Sequence, residues 1–340
     1  MQSQALPKFD DLHLFTGFCA PFRLYGTAMT MLSGMVELIP DGALADGIDM
    51  KGLTAAHPKA KQEAKAMSKG KVLVTGSNAT RIEVQGSGWG PTGNYLNETV
   101  VPIMALISAG YDVQLATPNG TKPHMDKASD SAAHFGGDTS AYARAKDFWT
   151  DDSTMNQVRT LRSVIEEGLD KYAGVFVPGG QAPVVDLMQD PLMGEILRHF
   201  HDQSRPTALL CHGPIALVST MPRAREFRAA LMAGDDANAK ELAKGWQYAG
   251  YGMTIFSASE EKWVEKEILH GKMYFNMPQA LRAAGGDVVT GQVDFEPHVI
   301  VDRELITGQN PRSDHPIGEA LVKALDKTNS QRRPSEAAHG

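Results

Sequence analysis

The sequence lacks most of the features that mark secreted, membrane-bound or nucleic-acid-binding proteins. It has two cysteines, Cys19 and Cys211, too few for a disulfide framework or a structural zinc site, which favours a reducing compartment. No stretch approaches the ~20 uninterrupted apolar residues of a membrane helix, and the first residues do not follow a signal-peptide pattern. The formal net charge of −7 comes without a basic stripe that could bind nucleic acid. We therefore expect a cytoplasmic protein with no nucleic-acid or membrane partner.

The sequence does contain enough apolar material for an ordinary core, since 42% of its residues are hydrophobic and 21% are charged. Changes in composition divide the chain into three parts. Residues 1–69 form an extension that is expected to pack on the core, and residues 70–327 form the main domain. Residues 328–340 have no periodic apolar face and are predicted to be disordered. A helical insertion is predicted at about 222–245.

Short apolar runs alternate with helical patterns in the main domain, which is typical of βαβ units. The runs that predict strands are Lys71–Thr75, Asp112–Thr117, Gly174–Val177, Thr207–Leu210, Asp287–Thr290 and His298–Val301. The segments that predict helices are Leu96–Ala109, Met155–Gly168, Val184–Gln203, Pro214–Thr220, Ala224–Lys244 and His315–Asp326. Because the strands are uniformly apolar, the predicted fold class is α/β, with a doubly wound, mostly parallel, flavodoxin-like sheet covered by helices on both faces.

The stretch Arg205–Leu217 (RPTALLCHGPIAL) carries the strongest chemical signal. A buried strand runs directly into Cys211 and His-Gly-Pro then opens a helix, so the cysteine lies on a sharp turn at the carboxyl end of the sheet. Gly213 suits the tight turn, and Pro214 suits the first turn of a helix. The positive end of that helix is expected to lower the pKa of the thiol. A buried core cysteine is the alternative, but the His-Gly-Pro sequence favours a nucleophile.

A second apolar strand, within Gly174–Gln181 (GVFVPGGQ), ends in two adjacent glycines. Gly179 and Gly180 allow backbone N–H groups to face a ligand, as an oxyanion hole requires. An ordinary glycine turn would give the same pattern. The combination of this turn with a cysteine turn in one parallel sheet favours a catalytic site.

The two motifs VFVPGGQ and ALLCHGP resemble the ThiJ/PfpI superfamily, which has the class I glutamine amidotransferase-like fold. Further stretches that resemble it are Gly93–Pro102 (GNYLNETVVP), Ala109–Gly120 (AGYDVQLATPNG) and Leu305–Gly318 (LITGQNPRSDHPIG). The resemblance covers residues 70–326 and is greatest to the heat-shock chaperone branch, which includes the glutathione-independent glyoxalases (glyoxalase III).

The resemblance implies roles for individual side chains. Cys211 is the nucleophile, His212 is the adjacent base, and Glu98 stands at the position of the family's active-site glutamate, which hydrogen-bonds the thiol. A carboxylate that orients the histidine is expected within FSASEEK, where Glu261 fits best and Glu260 is the alternative. On the pattern alone, these two glutamates would more often begin a solvated helix.

The resemblance also implies an oxyanion hole and no cofactor. The backbone N–H groups of Gly179, Gly180 and His212 are the implied donors, and Gly213 is a further binding position. The hydride equivalent moves within the substrate, so neither a redox cofactor nor glutathione is needed.

No metal is predicted, because the chain departs from the branch at one position. Some members carry a histidine near the active-site glutamate as part of a metal site. Here Tyr95 stands three residues before Glu98. His124 and His134 lie in the following loop without ligand spacing to a third partner.

Two rival functions fit the sequence less well. GWGPTG at Gly88–Gly93 matches the dinucleotide-binding pattern G-x-G-x-x-G, but it does not follow the first strand directly, so a loop at the rim of the site explains it better. Glutaminases of the shared fold use G-x-C-x-G with a distant H-x-E pair. In this chain Leu209 replaces the first glycine and no His-x-Glu follows Cys211, which argues against glutamine hydrolysis.

The predicted function is therefore an enzyme that acts on a small reactive carbonyl. The Cys211 thiolate would add to a 2-oxoaldehyde such as methylglyoxal to yield a 2-hydroxy acid, as a glyoxalase III-type lyase, or would act as a related deglycase. Amide or peptide hydrolysis and isonitrile hydration are alternatives on the same fold. A holdase-type stress chaperone with unfolded protein clients is the other alternative, favoured by the Met-rich run Met29, Met31 and Met35. The family resemblance also implies a homodimer.

Overall fold

The structure is a computed structural model that describes residues 68–86 and 88–337. Its strands are β1 (Lys71–Thr75), β2 (Arg81–Val84), β3 (Gly88–Pro91), β4 (Asp112–Thr117), β5 (Arg159–Thr160), β6 (Tyr172–Val177), β7 (Thr207–Leu210), β8 (Gly252–Met253), β9 (Asp287–Val288), β10 (Val299–Asp302) and β11 (Leu305–Gly308). Its α-helices are α1 (Leu96–Ser108), α2 (Thr139–Asp151), α3 (Ser153–Asn156), α4 (Leu161–Glu167), α5 (Pro191–Asp202), α6 (Ala224–Met232), α7 (Asp236–Leu242), α8 (Ala258–Val264), α9 (Met277–Ala284) and α10 (Asp314–Ala337).

Within the described residues, a seven-stranded sheet has the order β10-β11-β7-β6-β1-β4-β5. Neighbouring strands are parallel, except that the edge strand β10 runs antiparallel to β11. From β1 the chain first adds β4 and β5 on one side and then β6, β7 and β11 on the other. This arrangement confirms the predicted doubly wound α/β fold, in which ligands bind at the carboxyl ends of the strands.

The central strands are buried almost completely, as a sheet covered by helices requires. Helix α1 packs against α10, and α5 packs against a 3₁₀ helix, Gly213–Thr220, that follows β7. Leu73, Phe176 and Leu209, one from each of three adjacent strands, have no exposed surface. In the part of the chain that the structure describes, every helix is too short or too polar to traverse a bilayer.

The strand predictions agree best with the structure at the centre of the sheet. Strands β1, β4 and β7 have the predicted bounds, and β6 begins earlier, at Tyr172. The strand predicted at Asp287–Thr290 is only the short β9, which pairs with β8 outside the main sheet. Strands β2 and β3 form an antiparallel hairpin where a loop at Gly88–Gly93 is predicted. The Gly and Pro residues of β3 are poor strand formers, so only its pairing with β2 makes it a strand.

The longest predicted helices are interrupted where polar residues cap a new helix. Gly234 follows α6 with a φ of +69°, and the Asp235 carboxylate then caps α7, so the predicted insertion at 222–245 contains two helices. Asp190 caps α5, and Thr160 caps α4 in the same way. These caps divide the single helices predicted before β6 and before β7 into shorter elements.

The C-terminal segment differs from the predicted disorder. Helix α10 continues through Ala337, although residues 328–340 are predicted to be a disordered tail. Within this segment the Asn329 side-chain amide donates to the Lys69 carbonyl at 2.9 Å and to the Tyr111 hydroxyl at 3.1 Å, which attaches the helix to the main domain at that point. Residues 338–340 lie outside the described residues, as does the predicted extension at 1–69, apart from Ser68 and Lys69.

Candidate active site

Cys211 lies on a strained turn between β7 and the 3₁₀ helix. Its φ of +60° is in the left-handed region, which a residue with a side chain adopts only at a cost in free energy. Two backbone hydrogen bonds hold it there: the Cys211 N–H donates to the Gly308 carbonyl at 2.8 Å, and the Phe256 N–H donates to the Cys211 carbonyl at 3.0 Å. The sharp turn predicted at the cysteine is therefore present in the structure.

His212 connects the thiol to a carboxylate. Its Nδ1 lies 3.3 Å from the Cys211 sulfur, and its Nε2 lies 2.6 Å from Oε2 of Glu261. Because a carboxylate can only accept, the Nε2 atom carries the hydrogen and the Nδ1 lone pair faces the thiol. Phe256 packs on the imidazole with ring centroids 4.6 Å apart, which further fixes the ring.

The structure distinguishes between the two candidate carboxylates on α8. Glu261 reaches His212, whereas the Glu260 side chain turns away from it and is fully buried. The donors to the Glu260 carboxylate are the backbone N–H groups of Ser257 and Phe295 and the side-chain amides of Gln309 and Asn310. Glu260 therefore fixes the start of α8, and this places Glu261 one residue later against the imidazole.

Glu98, in the first turn of α1, presents a fully buried carboxyl group to the thiol. Burial raises the pKa of Glu98 to about 8, and the nearby Asp314 charge adds to the rise. Neither oxygen of the Glu98 carboxyl has a partner at conventional hydrogen-bond geometry. The Cys211 thiol and the Gly180 N–H nevertheless lower the pKa of Glu98, which offsets part of the rise caused by burial. At neutral pH the Glu98 carboxyl is therefore mostly protonated.

At the two adjacent glycines after β6, neighbouring groups approach the backbone too closely for a side chain to fit. A Cβ atom on Gly179 would lie 2.2 Å from Oε2 of Glu98 and 2.5 Å from the Cβ of Cys211, so no side chain fits there. Gly180 has a φ of +84°, in the left-handed region that favours glycine. Its N–H lowers the pKa of both Cys211 and Glu98, but burial raises both pKa values by more. Gly213 is needed for packing, because its Cβ would lie 2.6 Å from the Val177 carbonyl oxygen.

The environment of the thiol differs from the predicted one. The sequence predicts that a helix N-terminus lowers the thiol pKa, but burial raises the pKa of Cys211 well above its usual value, and the charge of Glu98 raises it further. The sulfur lies in a residue that is only 3% exposed, so loss of solvation outweighs the short 3₁₀ helix. The resting cysteine is therefore a thiol, and the imidazole Nδ1 lies 3.3 Å from its sulfur.

The sequence did not indicate that the loop after β4 forms a wall of the site. Asp126 is buried, which raises its pKa, and its N–H donates to the Asn94 carbonyl at 3.0 Å, so this loop is joined to the segment just before α1. Tyr95 packs edge-to-face on His134 with ring centroids 5.4 Å apart, and His134 Nε2 is 2.9 Å from the Ala128 carbonyl. The contact between Tyr95 and His134 joins segments that are far apart in the chain, and no local motif marks it.

The raised pKa of Glu98 predicts a pH-dependent stability. An unfolded glutamate titrates near pH ~4.3, so between there and about pH 8 the folded protein binds one more proton at this site than the unfolded chain. The free energy of unfolding therefore falls as pH rises through this window. Glu98→Gln, which cannot ionise, is expected to gain about 2–4 kcal/mol over wild type across the window.

Urea unfolding of both proteins at several pH values measures this gain. Glu319→Gln, which removes an exposed carboxylate from α10, is the matched control and should show no such trend. A difference between Glu98→Gln and wild type that does not change with pH would show that Glu98 ionises normally in the folded state.

The chain belongs to the DJ-1/PfpI family, whose family model matches residues 94–324. This match confirms the ThiJ/PfpI resemblance of the sequence motifs. Its span includes the thiol, the imidazole and the Glu98 and Glu261 carboxyl groups described above.

Among curated relatives, the protein/nucleic acid deglycase HchA of Staphylococcus aureus (strain Newman) is 27% identical over 266 residues, which is 76% of this chain and 80% of that protein. Among solved structures, Rapid Encystment Protein (REP24) of Francisella tularensis has a TM-score of 0.58 at 19% identity and covers 75% of this chain and 99% of its own. Glyoxalase III from Candida albicans has a TM-score of 0.56 at 17% identity and covers 75% of this chain and 97% of its own. At these identities the two structures establish the shared fold.

Proposed function

We propose that this DJ-1/PfpI protein is a cysteine-dependent glyoxalase that needs no glutathione, or a related deglycase, with 2-oxoaldehydes such as methylglyoxal as its substrate class. The observation that carries the proposal is the continuous contact from thiol to carboxylate, 3.3 Å from Cys211 to His212 and 2.6 Å from His212 to Glu261. A thiol, a base and an orienting carboxylate in this order make an activated nucleophile.

The first step is the formation of the thiolate. His212 accepts the Cys211 proton at Nδ1 as the sulfur attacks, and the Glu261 carboxylate stabilises the imidazolium that forms. Glu98 assists because its pKa of about 8 leaves it neutral at pH 7. A neutral carboxyl group does not repel the thiolate and can donate a hydrogen bond to it.

The thiolate then adds to the aldehyde carbon. A C–S bond forms while the carbonyl π electrons move to oxygen, and the imidazolium proton then passes to that oxygen to give a hemithioacetal. The N–H of Gly180, which already faces the sulfur and Glu98, is the main proposed donor to the developing oxyanion, with the N–H groups of Gly179 and His212 beside it.

Isomerisation and hydrolysis complete the reaction. His212, which is neutral again, removes the proton from the former aldehyde carbon while Glu98 donates a proton to the neighbouring carbonyl oxygen, which gives an enediol. The imidazolium then returns its proton to the neighbouring carbon and the hydroxyl on the first carbon returns one to Glu98, which leaves a thioester on Cys211. Water hydrolyses the thioester, which releases the 2-hydroxy acid and restores the thiol. One carbon is oxidised and its neighbour is reduced, so the lyase reaction consumes only substrate and water.

The burial of the site favours a small aldehyde over a bulky one. Cys211 is 3% exposed, so a small dicarbonyl reaches the sulfur with less rearrangement than a glycated protein or a peptide. The HchA relative, by name a protein/nucleic acid deglycase, supports aldehyde adducts as the related substrates. We therefore place glyoxalase activity first, deglycation second, and amide hydrolysis after both.

The direct test is a mass balance with wild-type protein and excess methylglyoxal, without glutathione. We expect one lactate for each methylglyoxal consumed, continuing well beyond one equivalent of protein. Loss of aldehyde that stops at one equivalent, without lactate, would mean that Cys211 captures the aldehyde but does not turn it over.

Three further expectations stay predictions. The Met-rich run that favours a holdase lies outside the described residues, so the chaperone alternative and its unfolded clients gain no support from the structure. The homodimer and the cytoplasmic location likewise stay predictions from the sequence.

A further inference from the structure

The Glu260 side chain joins three segments that surround the active site. It is fully buried, and each of its carboxylate oxygens accepts two hydrogen bonds. Oε2 accepts from the Ser257 N–H at 2.9 Å and from the Gln309 side-chain amide at 3.0 Å. Oε1 accepts from the Phe295 N–H at 2.7 Å and from the Asn310 side-chain amide at 2.8 Å. The start of α8, the connection between β9 and β10, and the segment after β11 thereby meet at one carboxylate.

Two of these donors are next in the chain to the residues that hold Cys211 on its strained turn. The Cys211 N–H donates to the carbonyl of Gly308 at 2.8 Å, and Gln309 follows directly. The Cys211 carbonyl accepts from the Phe256 N–H at 3.0 Å, and Ser257 follows directly. Both backbone hydrogen bonds that hold the cysteine at its φ of +60° therefore come from segments that this one carboxylate fixes.

The same carboxylate supports the imidazole on two sides. The Phe295 ring packs edge-to-face on Phe256 with ring centroids 6.3 Å apart, and Phe256 in turn packs on His212 at 4.6 Å. Glu261, the next residue after Glu260, accepts from the Nε2 atom of His212 at 2.6 Å. The face of the imidazole and its Nε2 atom are thus both in contact with groups whose positions depend on Glu260.

An ionised carboxylate is the side-chain group that matches this set of four donors, because it only accepts hydrogen bonds. Other contacts fix the direction of the two amides. The side-chain oxygen of Gln309 accepts from the Gly291 N–H at 2.7 Å, and that of Asn310 accepts from the Arg312 N–H at 3.2 Å. Turning either amide around would break these bonds. In Glu260→Gln the side-chain NH₂ would therefore face two donors, and both hydrogen bonds would be lost.

We propose that Glu260 is a positioning residue of the active site. By holding Ser257, Phe295 and residues 309–310 together, its carboxylate fixes the distances between the thiol, the imidazole and the Glu261 carboxylate. The inference rests on the proposed function and deepens it, because it names the residue that keeps the nucleophile, the base and the orienting carboxylate in line. Glu260 acts through these groups and not on the substrate.

The test compares Glu260→Gln with wild type, both shown to be folded by circular dichroism. One readout is the rate at which iodoacetamide alkylates Cys211, followed by the mass of the peptide that contains it, and it requires no turnover. The other is the pair kcat and KM for lactate formation from methylglyoxal. We expect alkylation about tenfold slower and kcat about 10²-fold lower, as for a catalytic group displaced by about 1 Å, with KM unchanged.

The dependence on Glu261 separates positioning from a general loss of stability. In a protein that already carries Glu261→Gln the imidazole has lost its orienting carboxylate, so adding Glu260→Gln should slow the alkylation of Cys211 by a clearly smaller factor than in wild type. An equal factor in both backgrounds would show that Glu260 does not act through Glu261, and would overturn the inference.

Asp186→Asn is the matched control, because it also exchanges for an amide a carboxylate whose partners are all donors. Asp186 accepts from the Ser77 hydroxyl at 2.6 Å and from the N–H groups of Asn78 and Leu187, so it holds the loop after β1. This control should alkylate and turn over as wild type does. If it lowers both rates as much as Glu260→Gln does, the effect of Glu260 is not specific to the site and the inference is wrong.

Gln309→Ala removes one of the four donors and is the milder variant should Glu260→Gln not fold. It should slow alkylation of Cys211 in the same direction by a smaller factor. A folded Glu260→Gln, or in its place a folded Gln309→Ala, with the alkylation rate and kcat of wild type would reduce Glu260 to a structural role. Failure of the proposed function is recognised separately: alkylation then depends on Glu260, but the wild type forms no lactate.

Discussion

A Glu261→Gln variant is expected to keep its fold and lose about 10³- to 10⁴-fold in kcat, as when the carboxylate of a Ser-His-Asp triad is replaced by an amide. The His212 Nε2 atom lies 2.6 Å from the Glu261 carboxylate, which accepts its hydrogen and stabilises the imidazolium. Glutamine has the same length but no charge. Its amide can also donate to Nε2, which moves the ring hydrogen to Nδ1, where the imidazole can no longer accept the Cys211 proton.

The measurement is the kcat for lactate formation from methylglyoxal, with circular dichroism to establish that the variant is folded. Glu319→Gln removes an exposed carboxylate of the same type from α10 and should have wild-type kinetics. If Glu261→Gln retained kcat within a few-fold of wild type, the imidazole would not need an orienting carboxylate and the proposed triad would be wrong.

The cysteine turn is the part of the site that the sequence predicts most fully, because all of its signals are local. Four buried residues of β7 lead into Cys211, and Gly213 and Pro214 follow at positions that only a tight turn into a helix explains. The central parallel strands are predicted equally well, since continuous apolar runs bounded by turns are typical of a covered sheet. The short β9, the β2–β3 hairpin and the extent of α10 depend on pairing with distant segments, which composition does not reveal.

The rest of the site depends on contacts between residues that are far apart in sequence. His212 and Glu261 are separated by 49 positions, and only the folded chain shows that Glu261, rather than Glu260, reaches the imidazole. The deciding contacts are those of Glu260 with Gln309 and Asn310, from the segment after β11. A local pattern assigns both glutamates to a helix start but cannot tell which of the two buried carboxylates reaches the imidazole.

The pKa values of Cys211 and Glu98 could not be predicted from the sequence either. The sequence indicated a helix N-terminus next to Cys211, which by itself would lower the thiol pKa. Burial has the opposite effect and is larger, and it also raises the pKa of Glu98 to about 8. The amount of solvent lost by a side chain is a property of the whole fold, because it depends on every segment that packs over the site.

In the proposed mechanism, turnover passes through a covalent adduct on Cys211. Cys211→Ser keeps the size and position of the side chain, but a serine hydroxyl is far less acidic than a thiol and His212 cannot ionise it to a useful extent. We expect this variant to lose about 10⁴-fold or more of its lactate-forming activity while remaining folded. The loss should be larger than for any other single substitution described here.

The most direct measurement compares wild type and Cys211→Ser with methylglyoxal in the absence of glutathione, following lactate over time and the mass of acid-quenched protein during turnover. We expect lactate from the wild type alone, together with one methylglyoxal bound to the peptide that contains Cys211. Lactate formed at equal rates by both proteins would rule out a covalent mechanism at Cys211, because the reaction would then not need the thiol.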